Sequence, residues 1–198
     1  MQGLTGLSAA TPERLVLDAG MVYFNIDLNE LEDPANTDPV TAALATAIPL
    51  GATRGGATFT RGLSVREVEV DGKLGPYMGL ARREEVRPQL TVTFVELTVD
   101  NLLKAIAGAT VTTAGQFQKI TGGPILDTSY IPNVALLATY TGSTKPVIVV
   151  VKNALVLEGP ELALEDKNEG GIEVTFVGHF DPGEPRVEPW AIYHPQVS

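Results

Sequence analysis

The chain has 198 residues, 44% hydrophobic and 19% charged, with a formal net charge of −10 and no cysteine. That length suits one domain with a sizeable core. The lack of cysteine excludes disulfides and thiolate metal sites, and a chain this acidic repels nucleic acid, whose tight binding needs several Lys or Arg contacts to phosphates. No uncharged apolar run is long enough to span a bilayer, and Met1 to Pro12 lacks the basic region and apolar core of a secretory signal. The charge is unevenly placed. Residues 1–50 carry one basic side chain, Arg14, and seven acidic ones; residues 51–104 carry eight basic and seven acidic; residues 105–198 carry five and ten.

In chain order, residues 1–13 form an N-terminal arm. Arg14 to Ile26 is β-branched and aromatic and reads as a strand with a bulge or bend near Gly20. Asp27 to Pro39 is acidic, holds Pro34 and Pro39, and reads as a surface loop or arm. Val40 to Ala47 reads as a short helix stopped by Pro49 and Gly51. Gly51, Gly55 and Gly56 make a glycine-rich entry that permits turns, and Ala57 to Thr60 restarts a strand. No G-K-[ST] follows, so this is not a phosphate loop.

Leu63 to Val70 reads as a strand whose apolar parity changes between Val65 and Val68, which predicts a bulge near Arg66 and Glu67. Asp71 to Pro88 reads as a hairpin loop far too long for a tight turn, and loops of that length are usually functional or disordered. Its return strand is Gln89 to Leu97, where Leu90, Val92 and Phe94 face one way and Thr91, Thr93 and Val95 the other. Thr98 is a natural N-cap, Asp100 suits the helix dipole, and Val99, Leu102, Leu103 and Ile106 form one apolar stripe. This predicts a single flanking helix, 98–107, ended by Gly108, with the stripe packed on a sheet.

Ala109 to Ile131 reads as an excursion with one short strand, and Val134 to Tyr140 as a strand. Val147 to Lys152 is a continuous apolar run of the kind covered on both faces. Asn153 to Glu158 and Glu161 to Glu165 continue extended, broken at Gly159 and Pro160, and Lys167 to Gly171 turns. Ile172 to Phe180 alternates, with Ile172, Val174, Phe176 and Phe180 on one face and Glu173, Thr175, Val177 and His179 on the other. After a turn, 186–198 is a proline-spaced tail with Trp190 and Tyr193. No repeat or linker divides the chain, which reads as one mainly β domain of antiparallel strands.

Catalytic and metal chemistry find little support. His179 and His194 are the only histidines, too few for a zinc site. Asp27 to Glu32 lacks the ligand and glycine spacing of a calcium loop. Glu158, Glu161, Glu165, Asp166 and Glu169 hold carboxylates that an acid–base pair needs, but such runs are more often solvated faces. There is no G-x-S-x-G. In so acidic a chain, Trp190 and Tyr193 suit docking on protein better than stacking on a base. No cofactor is expected.

Four stretches, in this order and spacing, resemble the tail tube (major tail) proteins of tailed bacteriophages. They are LGATRGGATF (50–59), VREVEVDGKLGPYMGL (65–80), LTVTFVELTVDNLLKAI (90–106) and EPWAIYHP (188–195). The resemblance covers Leu15 to Pro195. It implies a β-sandwich or half-barrel subunit with one flanking helix, and hexameric rings stacked into a tube through which DNA passes in transit without tight binding. It further implies other tail proteins at the tube ends, a tape-measure protein in the lumen, no membrane, and a virion component made in the host bacterial cytoplasm. A tail terminator, a capsid decoration protein and a type VI secretion-like tube are the related alternatives. A monomeric β-sandwich binding module or small hydrolase is the unrelated one.

Within this reading, Lys73, Tyr77, Met78, Leu80, Arg82, Arg83, Glu84 and Glu85 of the long loop mix apolar groups with both charges, as an inter-ring contact requires. A tube that passes DNA needs an acidic lumen without a phosphate grip. Glu67, Glu69 and Glu173, on outward strand faces, are the acids expected there.

Overall fold

The structure, a computed structural model, describes residues 11–163 and 170–196. Thirteen strands and three short α-helices are present among them. The strands are β1 (Val16–Phe24), β2 (Ile48–Pro49), β3 (Thr53–Thr60), β4 (Leu63–Glu67), β5 (Ala81–Val86), β6 (Gln89–Phe94), β7 (Thr110–Ala114), β8 (Phe117–Thr121), β9 (Ile131–Tyr140), β10 (Val147–Val156), β11 (Glu161–Ala163), β12 (Gly171–Gly178) and β13 (Trp190–Tyr193). The helices are α1 (Leu28–Glu32), α2 (Pro39–Leu44) and α3 (Val99–Ala105).

Nine strands share one antiparallel sheet in the order β2-β1-β9-β10-β12-β6-β3, with β13 paired to β10 and β11 paired to β12. The ends of this path, β2 and β3, are separated in sequence only by Leu50 to Ala52. So short a connector spans roughly 14 Å at most, and the sheet must roll until its ends approach. The result is the mainly β, antiparallel domain expected from the strand pattern, rolled into a sandwich-like form.

Inside the roll sits the main core. Phe24, Phe94 and Phe176 are fully buried there, with Phe176 edge-on to Phe24 at 5.5 Å and stacked on Phe94 at 6.5 Å. The predicted inward positions Leu90, Val92, Phe94, Ile172, Val174 and Phe176 all belong to it. The apolar run of β10 is covered on both faces, as read: Val151 faces the main core, while Ile148 and Val150 face a second cluster on the outer side.

That second cluster explains two short helices, α2, expected over 40–47, and α1, which the sequence reading did not assign. Leu28, Leu31, Val40 and Leu44 pack over Ile26, Ala135, Leu137, Ile148 and Val150. The segment 27–39, expected to be a surface loop or arm, therefore contains α1, capped by Asp27, whose carboxylate accepts from Asn29 N at 3.0 Å. In α2, Asp38 is the cap and Pro39 opens the helix. The single flanking helix is thus joined by the expected α2 and by α1, whose five residues show too little periodicity to be read; tertiary burial stabilises both.

The bulge expected near Gly20 is present: the β1–β9 register shifts between Leu17 and Met21, and Gly20 has φ +74°. A Cβ there would lie 2.6 Å from Leu136 Cδ1 and 2.9 Å from the Leu137 carbonyl. The glycine-rich entry is a bulge inside β3, whose register against β6 shifts between Arg54 and Ala57. The excursion 109–131 contains two strands, the hairpin β7–β8, rather than one. The tail is not wholly irregular either, since β13 pairs with β10 from Ile148 to Val151.

Thr98 caps α3, its hydroxyl accepting from Asn101 N at 3.1 Å. The helix ends at Ala105 with Ile106 as C-cap, one turn before Gly108. Its packed face also differs from the stripe. Asn101 and Ala105 are the buried residues and Leu102 packs on the core, whereas Val99, Leu103 and Ile106 are half-buried.

Candidate functional site

Two hairpins stand apart from the rolled sheet as separate two-stranded sheets, β4–β5 and β7–β8. The first, an arm, corrects the long-loop assignment. Residues 81–86 are not loop but strand β5, pairing with β4 from Leu63↔Val86 to Glu67↔Ala81. The return strand of the hairpin is therefore β5 and not β6. The bulge lies between Ser64 and Val65, not at Arg66 and Glu67. Val68 to Leu80 form the true tip, closed by Val68 N donating to Leu80 O at 2.9 Å.

The expected contact residues divide accordingly. Arg82, Arg83, Glu84 and Glu85 lie on β5, while Lys73, Tyr77, Met78 and Leu80 lie in the tip. Lys73 Nζ reaches Glu67 at 2.7 Å and Arg66 Nε reaches Glu84 at 2.9 Å, both pairs internal to the arm. Leu74 and Met78 are fully exposed, at 96% and 104%, and Tyr77 and Val70 are more than half exposed. An isolated two-stranded hairpin is marginal in water, and fully exposed apolar side chains at its tip mark a contact surface.

The base of the arm is bound to the body through Glu188, which the sequence reading did not single out. Glu188 accepts from Arg61 Nε at 3.1 Å and Nη2 at 2.8 Å, from Trp190 Nε1 at 2.6 Å, and from Arg83 Nη1. These donors, the Arg61 hydrogen bonds foremost, hold the Glu188 carboxyl down to about 2. The Arg61 guanidinium lies over the Trp190 ring at 5.6 Å, and Trp190 tilts against Phe59 at 5.6 Å. Arg83, expected to meet a neighbour, is thus engaged within its own subunit. Trp190 and Tyr193, expected as a docking pair, pack within their own chain. Tyr193 donates to Glu32 at 2.7 Å, and burial, reinforced by that carboxylate, raises its phenol.

The second hairpin turns through Gly115 and Gln116, and its side chains are nearly all exposed, Phe117 to 77%. Between its base and α3 lies a cavity of about 530 Å³ whose lining includes Asn25, Asp100, Leu103, Lys104, Leu126 and Tyr130. Asn25 Oδ1 is buried there without a hydrogen-bond partner, and Lys104 Nζ sits 5.1 Å from the centre of the Phe24 ring.

The three acids expected in the lumen are not brought together. Glu67 is on the arm and paired, Glu69 is exposed at the root of the tip, and Glu173 is exposed on β12 of the main sheet. Directly opposed residues share a face, so the registers Arg54↔Thr93, Thr93↔Glu173 and Glu173↔Glu161 place these four side chains in one row. The next row is Thr58, Thr91 and Thr175, with the last two hydroxyls 2.9 Å apart. The outer face of β3, β6, β12 and β11 is therefore polar and exposed or half-buried.

His179 Nδ1 lies 3.2 Å from Asn153 O and the ring is edge-on to Tyr130, while His194 packs on Tyr140. Glu158 and Glu161 are exposed, and Glu165, Asp166 and Glu169 fall outside the described residues. Among the described residues no three His, Cys, Asp or Glu side chains cluster as metal ligands would, and no helix is long and apolar enough to cross a membrane. No protein-family model matches the chain, and no curated protein matches it.

Proposed function

We propose that this chain is a structural protein, without enzymatic activity, that self-assembles into stacked hexameric rings forming a bacteriophage tail tube. The observation that carries the reading is the arm β4–β5, a free-standing hairpin whose tip exposes Leu74, Tyr77 and Met78. Such a tip is costly to leave in water and gains by burial against a second copy. The polar outer face holding Glu161, Glu173, Arg54 and the threonine row suits a wall past which DNA slides, because hydroxyls and carboxylates outnumber that one cation and no run of Lys and Arg grips phosphate. Other tail proteins at the tube ends and a tape-measure protein in the lumen complete the reading, with the virion as destination and the host cytoplasm as place of synthesis.

The test is electron microscopy of the purified protein at high concentration, beside a variant with Val70 to Gly79 replaced by a short Gly/Ser linker. Because β5 begins at Ala81, this replacement leaves both arm strands intact. Tubes from the parent and folded, unassembled subunits from the variant are expected. Capped rings favour a tail terminator; monomers at every concentration favour a binding module or small hydrolase, and either result overturns the reading.

A further inference from the structure

We propose that Glu188 is the positioning residue that fixes the direction of the arm, bracing it across a hinge, and thereby sets the concentration at which subunits stack. The second half of this rests on the tube reading above; the first half does not.

The arm shares no ladder with the nine-stranded sheet. Its two legs leave the body at Gly62 and Arg87, where Arg87 N donates to Gly62 O at 2.9 Å. Gly62 has φ +58°, and a Cβ there would collide with the Arg87 carbonyl. This close crossing ties the legs to each other, and Val86 on the first rung is buried at the base; the five other residues of β5 are exposed, which leaves the direction of the arm beyond that rung to other contacts. Arg61 lies on the body side of the crossing and Arg83 lies on β5 beyond it. A single carboxylate, Glu188, binds both while its neighbour two residues on, Trp190, is held in β13 by pairing with Val151. The remaining arm ion pairs, Arg66 with Glu84 and Lys73 with Glu67, lie within the arm and do not aim it.

Leverage makes the brace matter. Five strand residues extend about 17 Å, so a swing of about 20° at the hinge moves the end of β4 by about 6 Å, and the tip further. An interface that receives Leu74 and Met78 tolerates no such displacement. An unbraced arm occupies the competent direction for a fraction of the time, and apparent affinity falls by that fraction.

The chain has no cysteine, so spin labels can be placed cleanly at Leu74→Cys in the tip and Thr144→Cys in an exposed body turn. Distances are measured below the assembly concentration in four backgrounds: parent, Glu188→Gln, Arg83→Gln and Arg66→Gln. The expected result is a narrow distribution for the parent and Arg66→Gln and a broad one for Glu188→Gln and Arg83→Gln. In unlabelled protein, the critical concentration for tubes should rise about fivefold or more in those same two variants. An unchanged distribution in Glu188→Gln overturns the brace. A broadened distribution with an unchanged critical concentration upholds the brace and overturns its role in stacking. Parent protein that forms no tubes overturns the tube reading and leaves the distance result to judge the brace alone.

Discussion

The side-chain amide of Asn101 donates to the backbone carbonyl of Leu50 at 2.9 Å, deep enough that Leu50 is only 1% exposed. The same nitrogen also reaches Glu96 O at 3.0 Å, so one side chain on α3 holds the connector that joins the two ends of the rolled sheet. Removing it strands a buried acceptor, which costs about 1–3 kcal/mol. Asn101→Ala should therefore lower the unfolding free energy of the subunit by that amount, seen as a lower urea midpoint at constant m-value. An unchanged midpoint would mean the connector is held by other contacts.

On the same helix, Leu102 packs against the main core while Leu103 lines the cavity beside the second hairpin. A charge at position 102 enters an apolar cluster; one at 103 can reach the cavity mouth. Leu102→Asp should abolish cooperative unfolding, and Leu103→Asp should leave a folded, weakened subunit. Equal damage from both, by circular dichroism melts, would return Leu103 to the core stripe expected from periodicity.

Glu188 makes the arm's anchorage depend on pH. Its carboxyl is held at about 2, below the ordinary 4.5, chiefly by hydrogen bonds from Arg61 and also from Trp190 and Arg83. A depressed carboxyl stabilises the folded state fully above the unfolded value and loses that contribution as pH falls through the folded one. Arginine side chains as a class do not titrate in this range, and Glu84 on the arm pairs instead with Arg66. Melting temperatures of the parent should exceed those of Glu188→Gln at pH 7, with the gap closing between about pH 4.5 and pH 2. A gap constant with pH would show that the carboxylate's charge contributes nothing.

Under the tube reading, Glu173 lies on the face that DNA passes. Glu173→Lys places a cation opposite Glu161 and Thr93. Subunit stability should change by no more than about 0.5 kcal/mol, as expected for an exposed site, and tubes should form. DNA delivery by particles built from the variant should slow, through new phosphate contacts. Delivery at the parental rate would take this face out of the lumen.

What the residues alone determined lies where one side of an element is buried and the other is wet. Alternation in Leu90, Val92 and Phe94, the doubly covered run of β10, the Thr98 cap and the bulge at Gly20 were legible because burial or a backbone requirement dictates the residue type locally. The arm was legible only in part. β5, with sequence ARREEV, has five of its six residues exposed, so its strand nature leaves no period-two pattern. The short helix α1 depends on a cluster completed by β9 and β10, far away in the chain. The brace joins residues 105 apart, and nothing local to Glu188 distinguishes it from other surface acids. Such features are set by which strands meet when the sheet rolls, and a linear pattern records only the faces that each segment buries, not the partners that bury them.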